Sequence, residues 1–313
     1  MDSTVEDGTS GEGGSGPTRA GFAAIIGAPN AGKSTLVNRL VGAKVAIVTH
    51  KVQTTRSRLR GIVMVGATQL VLVDTPGIFR PKRRLDRAMV DAAWSEASEA
   101  DVVVFLIDAA RGIDEEAERV LERLVHLSRP VVVALNKVDR VRKEGLLDLA
   151  KALGERLPDA RIFMISALEG SGVEDLAGHL ASLMPAGPWL YPEDQIADAP
   201  ERVMAAEITR EKLFLRLHDE LPYASTVETT AWKTLKDGAV RIEQTIYVER
   251  DSQRRIAIGH KGETVKTISM EARKEIAEIL GCAVHLFLTV KVRERWGEDP
   301  EIYGDLGLDF PKD

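Results

Sequence analysis

The chain has 313 residues, 44% of them hydrophobic and 29% charged, with a formal net charge of -6. That balance excludes a fibrous or largely disordered protein and a uniformly basic nucleic-acid binder, so any RNA contact has to be a local patch. The single cysteine, Cys282, cannot close an intramolecular disulfide and fits a reducing cytosol, the scattered histidines offer no zinc spacing, and no uncharged run approaches the roughly 20 apolar residues that cross a bilayer.

Residues 1–20 carry Gly, Ser, Thr and acid with almost no large apolar side chain, so a disordered tail is expected. From 21 to 184, short apolar runs (22–26, 60–65, 69–74, 102–108, 131–136 and 161–166) alternate with segments of helical period. Such near-continuous runs suit strands covered on both faces. Between them Met89, Val90, Ala93, Trp94 and Ala97, then Val120, Leu121, Leu124 and Val125, then Leu146, Leu149, Ala150 and Leu153 each fall on one helix face. Alternating strands and helices predict an α/β domain with a doubly wound, mostly parallel sheet. Residues 185–200 hold four prolines, which interrupt a helix or central strand and mark a linker.

In 201–313 the order changes. A helix bearing Val203, Ala206, Ile208, Leu213 and Leu217 precedes two alternating strands joined at Asp237-Gly238. A glycine turn at 259–262, a helix with Val265, Ile268, Ala272, Ile276 and Ile279, and a last apolar strand follow, which predicts a separate α+β domain with Cys282 as a small hydrophobe at that strand's edge.

Directly after the first strand stands GAPNAGKST, with Gly27 and Gly32 spaced as in a phosphate-binding loop. Asn30, Ala31, Gly32, Lys33, Ser34 and Thr35 would wrap the phosphates with backbone N–H groups, Lys33 would bridge the β- and γ-phosphates, and Ser34 would ligate magnesium. Asp74 and Gly77 belong to DTPG at the end of a buried strand, the rim where ligands gather in open α/β sheets. There Asp74 can hold magnesium through water and Gly77 can turn its N–H toward the γ-phosphate. Asn136, Lys137 and Asp139 (NKVD) close the next strand but one. A carboxylate there accepts from guanine's N1–H and exocyclic amine, which adenine does not offer, so GTP and GDP are favoured over ATP. Asn136 would support guanine's carbonyl side, the Lys137 stem would lie over the base, and Ser166, Ala167 and Leu168 could give a backbone N–H to guanine O6. Thr55 and Thr54 lie in a loop, 51–60, that can order on magnesium when the γ-phosphate is present; Thr55 is placed first and Thr54 stays open. Ile78 follows DTPG where many related enzymes carry a water-orienting Gln, so intrinsic GTP hydrolysis should be slow.

These motifs together resemble the translation-factor-related GTPases, and GAPNAGKST with QTTR, DTPG, NKVD and SAL resembles the bacterial Era family in particular. The likeness runs over about residues 20–308, through YPED, AAEITREKL, ELPY and IAIGHKGETVKTISMEARKEI. It implies a P-loop GTPase domain followed by a type II KH domain that binds 16S rRNA near its 3′ end and assists 30S subunit maturation. It also implies a monomeric cytoplasmic protein, with peripheral contact at the inner face of the cell membrane as a further expectation that no amphipathic basic helix here supports. Asn30 resembles a P-loop asparagine that recruits K+ in related GTPases.

The residues of the second domain agree with that reading. Gly259, His260, Lys261 and Gly262 form a Gly-X-X-Gly turn whose backbone can approach phosphates closely. Residues 250–274, with Arg254, Arg255, Lys266 and Arg273, hold seven Lys/Arg against three Asp/Glu. Two rival classes remain. A tRNA-modification GTPase would need a C-terminal reactive cysteine, and Cys282 has the wrong setting; a signalling GTPase would bind protein in place of RNA.

Overall fold

A computed structural model describes residues 17–49, 51, 54–56, 59–218 and 221–311. Residues 1–16 of the expected tail, and Val52, Gln53, Ser57 and Arg58 of the threonine loop, lie outside the described residues.

Among the described residues the first domain is built on one seven-stranded sheet in the order β6-β5-β4-β1-β3-β2-β7. Its strands are β1 (Arg19–Ile26), β2 (Leu59–Val65), β3 (Thr68–Asp74), β4 (Val102–Asp108), β5 (Val131–Asn136), β6 (Arg161–Met164) and β7 (Ala197–Asp198). The ladders β1/β3, β1/β4, β4/β5 and β5/β6 are parallel, while β2 runs antiparallel to β3 and to β7. One face is covered by α1 (Lys33–Val41) and α5 (Val173–Leu183), the other by α2 (Arg84–Glu99), α3 (Glu115–Leu124) and α4 (Lys143–Arg156). Because both faces are buried, the central strands carry Val, Ile, Leu and Ala without alternation.

Two expected boundaries shift. Thr18 already pairs with Gly187, and Arg19 begins β1, so the expected tail ends before residue 20. The reason is long-range: the linker passes alongside and supplies Pro185 O to Ala20 N at 3.2 Å. The end of the linker is itself an edge strand, and the buried Gln69 amide pins its middle, accepting from Leu190 N (2.8 Å) and Tyr191 N (2.9 Å). Edge position is where a proline-flanked strand can sit.

The second domain contains α6 (Glu201–Arg216), β8 (Ser225–Thr234), β9 (Val240–Val248), α7 (Asp251–Ile258), α8 (Glu263–Leu280) and β10 (Val284–Val292). Its sheet order is β10-β9-β8, with β8 antiparallel and β10 parallel to β9. The two glycine-flanked helices α7 and α8 and the long α6 bury Ile208, Leu213, Phe214, Ala257, Ile268, Ala272 and Ile276 against it. Some expected face residues go elsewhere: Val203 and Ala206 line a cavity of about 320 Å3 with Ile302 and Leu306, and Val125 and Ile279 are exposed at helix ends.

A C-terminal turn at 296–298 and α9 (Pro300–Asp305) pack back onto the first domain. Trp296, Ile302, Tyr303 and Leu308 form one buried cluster with Leu85, Ala88, Met89 and Ala92 of α2. Helix α2 therefore has two apolar faces: Ala93, Trp94 and Ala97 meet the sheet, while Met89, expected on that face, meets the C-terminal segment.

Candidate nucleotide site and nucleic-acid interface

The carboxyl ends of β1, β3, β4, β5 and β6 lie along one rim; the expected nucleotide residues follow β1, β3, β5 and β6, and Thr55 joins them from the loop before β2. Gly27 has φ 156 and a Cβ there would stand 2.3 Å from Leu106 O; Gly32 has φ 103 and a Cβ would stand 2.3 Å from Asn136 Nδ2. Only glycine lets the loop lie this close to its neighbours. A cavity of about 340 Å3 is lined by Asn30, Gly32, Lys33, Ser34, Thr35, Thr55 and Gly77 among others. A smaller one of about 170 Å3 adjoins it, sharing Gly32, Thr35 and Lys137 and adding Asn136, Asp139, Ser166, Ala167 and Leu168. Ala31 is buried behind the loop, its carbonyl accepting from Asn136 Nδ2 at 2.8 Å.

Lys33 is only 6% exposed and donates to Gly27 O (3.2 Å) and Ala28 O (2.9 Å). Burial pushes its ammonium down to about 8, with the charges of Asp74 and Glu116 opposing. Nearby, Ser34 Oγ donates to Asp74 Oδ2 at 2.7 Å, Thr55 Oγ1 donates to the same oxygen at 3.0 Å, and the two hydroxyls are 3.0 Å apart. Burial raises the Asp74 carboxyl above its usual range, against the pull of Ser34, Lys33 and Thr55. Its other oxygen, Oδ1, is buried without a partner. Three hard oxygen donors converging beside an orphaned carboxylate oxygen suit a small divalent cation. Thr54 turns away, bonding Thr49 Oγ1 and Lys51 O at 2.7 Å each, so the hydroxyl at this junction is that of Thr55.

At the other end the geometry refines three expectations. Asn136 uses both ends of its amide on the protein, donating to Ala31 O and accepting from Ala167 N at 2.9 Å, so it braces two loops rather than facing a base. With Ala167 N–H occupied, Leu168 supplies the N–H that remains without a protein acceptor among the described residues, and its side chain is exposed. Ser166 is buried and its hydroxyl accepts from Glu169 N at 3.2 Å, shaping the turn. Lys137, at φ 65, reaches across the rim to Asn30 O (2.7 Å) and Asp108 Oδ2 (2.6 Å). Asp139 stands in the smaller cavity with Arg140 Nε at 3.9 Å as its ion-pair neighbour.

Sequence reasoning missed Asp108 and Arg39. Asp108 ends a central strand at this rim, the same signal that drew attention to Asp74 and Asn136. Arg39 holds the 166–168 turn by donating to Ala167 O at 3.1 Å and to Leu168 O, and nothing local marks it.

In the second domain Gly259 has φ 78, and a Cβ there would lie 2.1 Å from Thr264 Oγ1. Gly262, at φ 83, has open space around it, and His260 and Lys261 are exposed between the two. Of the expected basic patch, Lys261, Lys266 and Arg273 are exposed with no ion pair among the described residues. Arg254 and Arg255 instead share Asp251, at 3.3 and 2.9 Å, and Arg254 also donates to Val290 O. The net positive surface is therefore narrower than the residue count implied.

A glycine-rich phosphate loop opening onto a smaller recess that holds Asp139, followed by helices around a Gly-X-X-Gly turn, makes the chain a P-loop GTPase joined to a KH domain. Residues 22–137 match the family model described as 50S ribosome-binding GTPase, and residues 220–297 the one described as KH domain. The chain is 65% identical over 294 residues to GTPase Era of Brucella suis biovar 1 (strain 1330), covering 94% of each chain. It is 64% identical over 296 residues to GTPase Era of Rhizobium meliloti (strain 1021), covering 95% of each. A crystal structure of Era in complex with MgGDPNP and nucleotides 1506-1542 of 16S ribosomal RNA superposes with a TM-score of 0.88 at 37% identity, covering 93% of this chain and 99% of that one. A structure of an Aquifex aeolicus Era variant bound to GDP.AlF4- has the same score, identity and coverage. The chain belongs to the Era family of GTPases, and GTP hydrolysis is its activity.

Proposed function

We propose that this GTPase acts on the small ribosomal subunit: as a cytoplasmic monomer it binds 16S rRNA near its 3′ end through the KH domain and assists 30S maturation. The observation that carries the reading is one chain holding both a guanine-nucleotide rim and a Gly-X-X-Gly cradle, with a relative solved on 16S RNA and a GTP analogue. No helix among the described residues is long and apolar enough to cross a membrane.

In this reading water attacks the γ-phosphate in line, with Lys33 and the loop amides of residues 30–35 balancing the charge that develops. Ser34 and Thr55 would ligate magnesium and Asp74 would hold it through water; the ion would supply neutralisation of the charge on the phosphates. Gly77 faces the phosphate end, and the buried Ile78 donates its N–H to Gly27 O at 3.0 Å, tying that segment to the phosphate loop. Ile78 offers no polar atom to orient water, so slow turnover follows. Asp139 accepts from guanine's N1–H and amine, and Leu168 N–H meets O6.

Asn30 stands at the mouth of the phosphate loop in the left-handed region, at φ 63. If it recruits K+, turnover in potassium exceeds that in sodium at equal ionic strength; equal rates remove the ion from the reading.

Crosslinking to ribosomal RNA tests the whole. Gly262→Asp places a carboxylate where phosphate should approach, at a left-handed position that Asp tolerates at about 1 kcal/mol. Crosslinks to the 16S 3′ end in the GTP state should fall by about tenfold or more while GTP binding is unchanged. Undiminished crosslinks, or crosslinks mapping to large-subunit RNA, overturn the assignment.

A further inference from the structure

The described residues of the segment that carries Thr55 are gripped by the second domain at several points. Lys44 pairs with Glu211 at 2.7 Å and with Glu275, and Val48 N donates to Glu211 Oε1 at 2.9 Å. Lys51 Nζ donates to Phe214 O and Leu217 O at the C-terminal end of α6, and Arg210 Nη2 donates to Thr54 O. Arg56 is inserted most deeply: it is 1% exposed, with Nη1 donating to Ser225 O at 2.7 Å and Nη2 to Pro222 O at 3.3 Å. Its guanidinium lies 5.4 Å from the Phe214 ring centroid and 5.5 Å from that of Trp296.

For adhesion alone this is an expensive arrangement. Arg56 and Arg210 face Phe214 together, Glu207 pairs with Arg210, and Arg56 Nε and Arg210 Nη1 are buried without acceptors. Burial, then the Arg210 charge, pushes the Arg56 guanidinium down to about 9, so it remains charged at neutral pH. Well-packed apolar side chains would join the domains with less desolvation. What a planar fork aimed at fixed carbonyls supplies is direction. Thr55 is the residue between these two arginine-held positions, and its hydroxyl is the one aimed at Asp74 and Ser34.

We propose that Arg56 is a positioning residue for Thr55: by gripping the 222–225 turn of the KH domain it holds the Thr55 hydroxyl at the magnesium position, so the second domain helps set the metal's coordination. The proposal rests on the reading of Thr55 as a magnesium ligand in the GTP state. By reciprocity, whatever tightens magnesium on Thr55 tightens the domain junction.

The test uses the full-length protein and a fluorescent, non-hydrolysable GTP analogue, measuring the Mg2+ concentration that halves its dissociation rate. Arg56→Ala should raise that concentration by about tenfold, the effect expected for losing one charge-assisted hydrogen bond's worth of ordering. The same measurement with GDP should stay within about twofold, because Thr55 engages magnesium only beside a γ-phosphate. Thr55→Ala should show the same shift, and the double variant no further one, as expected of groups acting as a unit. A wild-type Mg2+ requirement in Arg56→Ala, or additive shifts in the double variant, overturns the proposal. A wild-type requirement in Thr55→Ala overturns the underlying reading of the magnesium site instead. Should Arg56→Ala fail to bind GDP, Arg56→Lys carries the same cycle: it keeps a cation and a stem over Phe214 and Trp296 but cannot fork onto two carbonyls.

Discussion

Asp139→Asn lowers GTP affinity by about a hundredfold or more while leaving the fold intact. The carboxylate would accept two hydrogen bonds from guanine; an amide puts a donor against the exocyclic amine and loses the charge, a penalty of about 3 kcal/mol. Stability is spared because the ion-pair neighbour of Asp139 is Arg140, at 3.9 Å on the surface. The same chemistry predicts a gain. Xanthine has a carbonyl where guanine has the amine, so the amide N–H introduced by Asp139→Asn can donate to it, and xanthosine triphosphate should bind the variant better than GTP does. Equilibrium titration of both nucleotides with both proteins measures this. A variant that keeps its GTP affinity, or that binds xanthosine triphosphate no better than GTP, would place the base elsewhere.

Lys33→Met should separate stability from activity, because Lys33 is a buried charge held for its ligand. Its fall from 10.5 to about 8 corresponds to roughly 3 kcal/mol of charge penalty at pH 7 in the nucleotide-free protein. The sign follows from proton counts: between about pH 8 and 10.5 the unfolded chain holds a proton on this lysine that the folded chain has shed, so the penalty is full below pH 8 and fades above it. Methionine fills nearly the same volume without charge, though Gly27 O and Ala28 O lose the ammonium and keep only their backbone donors, Ile78 N and Ala31 N. The net expectation is a nucleotide-free protein more stable by roughly 1–2 kcal/mol at pH 7, with the gain shrinking toward pH 10. GTP hydrolysis should drop about a thousandfold, since a preorganised charge at the transferring phosphate is lost. Denaturant unfolding at several pH values and single-turnover hydrolysis read the two effects. A variant less stable than wild type at pH 7, or one that still hydrolyses GTP at a normal rate, contradicts the role.

The parts of this protein readable in its sequence are those whose physics is local. A strand buried on both faces must be apolar throughout, so the runs in β1, β3, β4 and β5 announce themselves. A loop that wraps phosphate needs backbone that glycine adopts most readily, and Gly27 (φ 156) and Gly32 (φ 103) mark it in the sequence, although the atoms a Cβ would strike, Leu106 O and Asn136 Nδ2, lie far along the chain. Asp74 and Asn136 were legible as candidates because each ends a strand, with Asp139 in the turn three residues beyond, and chain order alone brings those ends to one rim. Other roles were decided by partners far away in the chain. Glu207, Thr209, Arg210 and Glu211 form a polar stripe on α6 that local periodicity assigns to solvent, yet they are among the most buried residues in the protein. Arg210 and Glu211 meet a loop about 160 residues earlier, Glu207 pairs with Arg210, and Thr209 bonds Gln244 of β9, contacts that no spacing rule within a helix encodes.

The sequence by itself therefore determined the two domains' classes, the nucleotide rim and the identity of the base it reads, since each depends on residue types within one element and its adjoining turn. Only the tertiary structure decided that Thr55 rather than Thr54 meets Asp74, that Asn136 braces loops, that Met89 faces the C-terminal segment, and that Arg56 lies inside the KH domain. Each of those depends on which surfaces are brought together across long stretches of chain, where burial and hydrogen bonding are settled by packing between elements rather than by the pattern within one.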